Sequence, residues 1–419
     1  MPASREKQVA AAVLGNALEW YDFVVFGLLS VIISRLFFPA GDPYIALLAT
    51  TATFGVGFVM RPIGGLVMGI YADQHGRKQA MQVIIALMSA SLVIIACAPT
   101  HATIGFAAPL LIVFARLLQG FATGGQYAIA TSFLVEVAPP NRRALYGSMQ
   151  QIGQALAALG GASAGMLLSV SLTPEQVDAW GWRLPFAVGL LIAPVGVYIA
   201  RHLEESDAFL DHQRAQAPRV PLVAMLRDNL RAVLVTFGLV ICGTITYYVI
   251  LIYMPTFAQR ELHISSSDAF EVQVTALLTM VVLTPLVGML ADRVGLRPVL
   301  MTGAAGLLVV LLPLFQRVHA APTFDNLMLL QVTVCAVFAI YFGCVATAVA
   351  EQFPPGVRST GLSLAYNLAV MMFGGFAQFI VTWLIHVTGD SFAAAYYVMF
   401  GAAVGFTAAC FVKPRPEYA

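Results

Sequence analysis

The feature that most constrains this chain is a succession of apolar runs, each about 20 residues or longer, with almost no charge inside them. Twelve are readable, at about 10–36, 44–72, 79–98, 108–137, 144–170, 183–202, 230–257, 269–291, 298–318, 326–351, 359–387 and 392–412. In hydrocarbon every backbone N–H and C=O needs a partner inside the protein, so runs of this length predict bilayer-spanning helices and an all-α fold. Charged residues are 10% of the chain, against about a quarter in soluble domains. Six runs precede and six follow the polar stretch 203–229. The expected organisation is a bundle over 1–202, a cytoplasmic linker over 203–229 and a second bundle over 230–419.

A net charge of +1 and the absence of a basic arm argue against a nucleic-acid partner. Cys97, Cys242, Cys335, Cys344 and Cys410 lack paired spacing and read as small apolar packers. No zinc spacing, nucleophile elbow or phosphate-binding Gly-rich loop is present, so no enzyme activity, metal or cofactor is expected. The N-terminus has no clean apolar h-region or cleavage site and is expected to be retained.

The two halves echo each other. GIYADQHG at 69–76 matches GMLADRVG at 288–295, and EVAPPNRR from Glu136 matches EQFPPGVR from Glu351. Two echoes at nearly one spacing imply a duplicated half, the usual construction of a secondary transporter. With both termini inside, sixteen Lys and Arg fall on the inner side and four on the outer, which places the repeated turns in the cytoplasm. Turn chemistry alone accounts for one copy; two copies in register favour a gate that forms and breaks. Its candidates are Asp73, Gly76, Arg77, Glu136, Arg143, Asp292, Arg293, Glu351 and Arg358.

GIYADQHGRK at 69–78 resembles the loop between helices 2 and 3 that marks the major facilitator superfamily. GNALEWYDF (15–23), GFVMRPIGG (57–65), RLLQGFATGG (116–125), WGWRLPF (180–186) and YNLAVMMFGG (366–375) resemble its metabolite:proton symporters. The resemblance covers nearly the whole chain. It implies twelve helices in two six-helix bundles around a cavity lined by helices 1, 4, 7 and 10, in a monomer in a bacterial cytoplasmic membrane. The implied partners are a proton and a small organic acid such as citrate, or a zwitterionic osmolyte. Two positions depart from the family pattern: Gln126 stands where Glu is usual, and Gln378 where Pro is usual.

Four ionisable residues lie deep in the runs of the first half: Glu19, Asp22, Arg61 and Arg116. Each costs about 2.5–3.5 kcal/mol at a helix centre on insertion scales, so each needs a partner or a task. Depth along adjacent helices permits an Asp22–Arg61 ion pair, which by itself is a structural reading. Glu19 shares a helix face with Asn16 and Asp22, and two crowded carboxylates in low dielectric favour proton uptake. Glu19 and Asp22 are therefore the proton-coupling candidates, with a bonded structural carboxylate as the alternative for Glu19. Arg116, Gln119, Thr123, Gln126 and Tyr127 form a polar stripe on helix 4 suited to a carboxylate, or to an interhelical brace. Asn16, Gln151, Tyr247, Tyr341 and Asn367 complete the candidate substrate residues. The runs of the second half carry hydroxyls and amides but no deep charge.

Overall fold

The structure, a computed structural model, describes residues 5–39, 41–75, 77–124, 126–191, 193–194, 227–354 and 357–413. No strand occurs among them. The linker expected at 203–229 lies outside the described residues up to position 226.

Among the described residues the longer helices group into twelve successive segments. In the first half they are α1 (Arg5–Leu28, continued at an angle by Ser30–Phe37), α2 (Pro43–His75), α3 (Arg77–Cys97), α4 (Ala107–Thr123, continued by Gln126–Val137), α5 (Arg143–Ser171) and α6, described over Arg183–Gly189. In the second half they are α7 (Leu230–Arg260), α8 (Ser266–Val294), α9 (Leu296–Ala320), α10 (Phe324–Glu351), α11 (Arg358–Thr388) and α12 (Ala393–Ala409). Among the described residues eight helices are long and apolar enough to cross a membrane, nine when the bent α1 counts as one span. The shorter apolar segments Gln82–Cys97 and Ala393–Ala409, with the described start of α6, complete the series.

Local chemistry explains the breaks. α1 bends by 65° at Leu29, where the Ser30 hydroxyl donates to the Gly27 carbonyl; such Gly and Ser neighbours are a common source of kinks. Gly295 takes φ +98° between α8 and α9, a conformation costly for a residue with a Cβ. That requirement accounts for the last Gly of GMLADRVG. Residues 247–253 in α7 and 370–375 in α11 widen into π-helical turns, which tend to mark functional segments of a helix.

Packing places the halves face to face. α5 runs along α8 and α10, while α2 lies against α11, so a first-half pair is answered by its counterpart in the second. Within the first half α2 and α4 approach closely: a Cβ at Gly120 would overlap the Gly57 carbonyl. This contact fixes the height of Arg61 relative to Arg116.

Candidate functional site

A small cavity of about 30 Å³ sits between the halves at mid-depth. It has room for about two water molecules, so the protein is in a contracted state. α1 contributes Trp20, α4 Tyr127, α5 Gln151 and Gln154, α7 Thr244, Tyr247 and Tyr248, α10 Phe342 and α11 Tyr366. Tyr127 stacks on Tyr366 across the halves with ring centres 3.7 Å apart. The Tyr247 hydroxyl donates to the Gln154 carbonyl at 3.0 Å, another bridge between halves. Four buried polar atoms in this wall have no partner among the described residues: Gln151 Oε1, Gln154 Nε2, Thr244 Oγ1 and Tyr248 Oη. Buried polar groups are normally satisfied, so this cluster has the character of a ligand site in waiting.

The expected substrate residues divide. Tyr127, Gln151 and Tyr247 line the cavity. Asn16 instead exchanges hydrogen bonds with α5, donating to the Gln150 carbonyl at 2.9 Å and accepting from Gln150 Nε2 at 3.1 Å. Tyr341 faces away from the cavity and donates to the Leu239 carbonyl at 2.8 Å, bracing α10 on α7. Asn367 ties α11 to α4 through the Gly124 carbonyl at 2.8 Å. Thr123 bonds back within its own helix, at 3.3 Å to the Gln119 carbonyl. Sequence reasoning did not select Gln154, Thr244, Tyr248, Phe342 or Tyr366 for the wall; the π turn of α7 turns both Tyr247 and Tyr248 inward.

The deep charges are arranged differently from the expected Asp22–Arg61 pair. Arg61 is 4% exposed, and its guanidinium lies over the rings of Trp20, Phe23 and Phe58 at 4.8, 4.5 and 4.3 Å. That aromatic seat holds it away from Asp22, with which it forms no ion pair. Arg61 is instead the cation whose field acts on Glu19. Arg116 is fully buried, donates to Gln119, and lies 4.2 Å from the Phe26 ring centre and 4.9 Å from that of Phe23. Its field acts first on Asp22, which is 1% exposed and has no hydrogen-bond partner for either oxygen among the described residues. Depth along the helices indicated which charges are level, but not the azimuth that aromatic seats impose. Arg116 and Gln119 do not line the cavity. Gln126, with its amide nitrogen turned toward α1, donates to both oxygens of Glu19, to Oε2 at 2.8 Å. The amide that replaces the usual acid thus becomes a donor to the remaining one.

At the end carrying the repeated turns, the halves are latched. Asp292 at the end of α8 accepts from the Ala144 and Leu145 backbone N–H groups at 2.8 and 2.9 Å. Those donors open α5, where free N–H groups and the helix dipole favour a carboxylate. Glu136 pairs with Arg358 at 3.0 Å, so the repeated acid and base join across the halves rather than within each copy. Thr347 donates to the Arg143 carbonyl at 3.0 Å. Arg143 and Arg293 are exposed, and Glu351 is half-buried. Of the other gate candidates, Gly76 and the side chains of Asp73 and Arg77 lie outside the described residues. At the far end Ser30 donates to Gln378 at 3.3 Å, and the Tyr44 and His386 rings stack at 3.6 Å. Gln378 therefore joins α11 to α1 where the family pattern has Pro.

The family model described as sugar (and other) transporter matches residues 8–220, and that of the major facilitator superfamily matches residues 240–419. The citrate-proton symporter of Klebsiella pneumoniae is 36% identical over 405 residues, covering 97% of this chain and 91% of that protein. The proline/betaine transporter of Escherichia coli strain K12 is 32% identical over 412 residues, covering 95% and 81%. The crystal structure of a D-xylose-proton symporter superposes with a TM-score of 0.78 at 20% identity, over 99% of each chain. Spans, duplicated turns and full-length relatives agree: this chain is a multi-pass membrane transporter of the major facilitator superfamily, in its metabolite:proton symporter family.

Proposed function

We propose that this protein is a proton-coupled symporter that imports a small organic acid of the citrate type across a bacterial cytoplasmic membrane. One observation carries the coupling: two acids and two bases lie deep together in the first half, Asp22, Arg61 and Arg116 buried and Glu19 partly so, and Glu19 stands beside the cavity-lining Trp20. Arg61 rests on Trp20, and its field reaches Tyr248 and Tyr366 in the cavity wall. When Glu19 is charged, Arg61 is neutralised by it. When Glu19 takes a proton, the Arg61 charge is released for a cargo carboxylate in low dielectric. Proton and acid thereby enter together. Arg116 serves Asp22 rather than the cargo, since rings and Gln119 occupy its surroundings.

The orientation that puts Lys and Arg inside makes the Asp292 latch cytoplasmic. Opening that latch exposes the cavity to one side, and parting the far-end contacts exposes it to the other. Uptake of labelled citrate into proteoliposomes, with and without an imposed pH gradient, tests the proposal. Uptake indifferent to the gradient refutes the coupling.

A second reading, a zwitterion carrier of the proline or betaine type, is favoured by the aromatic wall of Trp20, Tyr127, Tyr247, Tyr248, Phe342 and Tyr366. Such a wall suits a quaternary ammonium. Competition of unlabelled betaine and of unlabelled citrate against uptake separates the two.

A further inference from the structure

A second cavity, of about 220 Å³, opens at the far end of the seam. It is walled by Tyr44 of α2, by Tyr253, Arg260 and Glu261 at the end of α7, and by Thr382 and His386 of α11. Both halves thus contribute, and the chamber stands over the central cavity. Tyr253 lies five residues beyond the cavity-lining Tyr248 on the same helix, a rise of roughly 7.5 Å. The side chains of Arg260 and Glu261 make no hydrogen bond or ion pair with another described residue, although both residues are partly buried. The two hydroxyls of the inner wall are bonded to each other, Thr382 to Tyr253 at 2.9 Å.

We infer that this chamber is an outer docking site for a carboxylate, in which Arg260 and His386 hold the anion before it passes to the central cavity. The inference rests on the organic-acid reading of the cargo. A guanidinium with no protein partner at a cavity wall is suited to bidentate carboxylate binding. His386, stacked on Tyr44, is both a second donor at the cavity wall and part of the contact that joins the halves above the cavity. An anion drawn to it competes with that stack, which links docking to parting of the seam.

Glu261 adds a pH dependence. It is half-buried, and burial raises its pKa, opposed by His263, His319 and Arg260. Asp42 acts on Tyr44 from the α2 side. His319 is occupied by the Phe315 carbonyl and the Ser391 hydroxyl, and His263 is exposed. Below its raised pKa Glu261 is neutral and no longer repels an anion, whereas above it the repulsion returns. Protonation of Glu261 therefore tightens anion docking on the acid side.

The test uses the full chain in proteoliposomes, with labelled citrate uptake at about pH 6 and about pH 7.5, and equilibrium citrate binding to the purified protein. Arg260→Gln is expected to raise KM roughly five-fold at both pH values with unchanged maximal rate, and Arg260→Lys to restore most of it. Glu261→Gln removes the repelling charge and is expected to lower KM at the higher pH. If the unsubstituted protein transports citrate while Arg260→Gln and Glu261→Gln keep its KM at both pH values, the docking site is refuted and the cargo reading stands. If it transports no carboxylate but binds citrate, and Arg260→Gln loses that binding, the chamber stands as a carboxylate site, while its place on the transport path falls with the cargo reading. Neither transport nor binding of citrate refutes both.

Discussion

Asp292→Asn probes the latch with the smallest change of shape. The carboxylate accepts two backbone N–H groups at the start of α5, at 2.8 and 2.9 Å, and is 8% exposed. Hydrogen bonds to a charged group contribute about 1.5–3 kcal/mol each, and the helix terminus up to about 2 kcal/mol in a partly buried geometry. Asparagine keeps one acceptor oxygen but turns an NH₂ toward a backbone N–H, and it carries no charge. The loss of one charged bond and of the dipole interaction, partly offset by hydration of the freed groups, comes to about 2 kcal/mol in favour of the unlatched state. That is about a 30-fold shift in the equilibrium between the two. Spin labels at the exposed Asn141 and Arg293, in a background with Cys97 and Cys410 replaced, report the distance across the latch. A long-distance population should grow in the Asn variant at unchanged thermal stability of each half. An unchanged distance distribution in a folded Asp292→Asn protein would falsify the latch.

Glu19→Gln should abolish uptake driven by a pH gradient while retaining exchange of labelled for unlabelled substrate, because the empty carrier can no longer release its proton; retained gradient-driven uptake removes Glu19 from the coupling. Tyr341→Phe and Tyr248→Phe should separate brace from ligand contact. The first loses the bond to the Leu239 carbonyl and about 1 kcal/mol of stability with KM unchanged, seen by thermal melting. The second removes a hydroxyl that has no partner among the described residues, so KM should rise and stability hold; the reverse pattern refutes the assignment. Gly120→Ala places a methyl group on the Gly57 carbonyl and should cost about 1–3 kcal/mol through parting of α2 and α4, read as a lowered melting temperature, whereas an unchanged value contradicts the close approach.

Span number, span ends and duplication were legible because hydropathy and turn chemistry are local. The ends agree to within a few residues: the expected 326–351 is Phe324–Glu351 and the expected 359–387 is Arg358–Thr388. The bend at Leu29 and the π turns were missed, since no run of apolar residues records how its hydrogen bonds are shared. For the site, the sequence identified which residues are deep and charged but not which way they face. Arg61 and Asp22 lie level yet are turned apart by aromatic seats, Glu136 finds its base on the other half, and Tyr341 spends its hydroxyl inside its own half. Such choices depend on the rotation of each helix about its axis, which is fixed by packing against neighbours distant in the chain.

The confinement of the deep charges to one half has an electrical consequence. Glu19, Asp22, Arg61 and Arg116 sum to zero when both acids are ionised, and among the described residues no charge lies at mid-depth in the second half. The empty carrier then returns through the field as a neutral object, and the membrane voltage does not drive that step. Each uncompensated charge on the loaded carrier feels about 2.3 kcal/mol per 100 mV. A monoanion with one proton moves no net charge, whereas a dianion with one proton moves one. Current recorded during uptake therefore counts the ionisation state of the cargo directly.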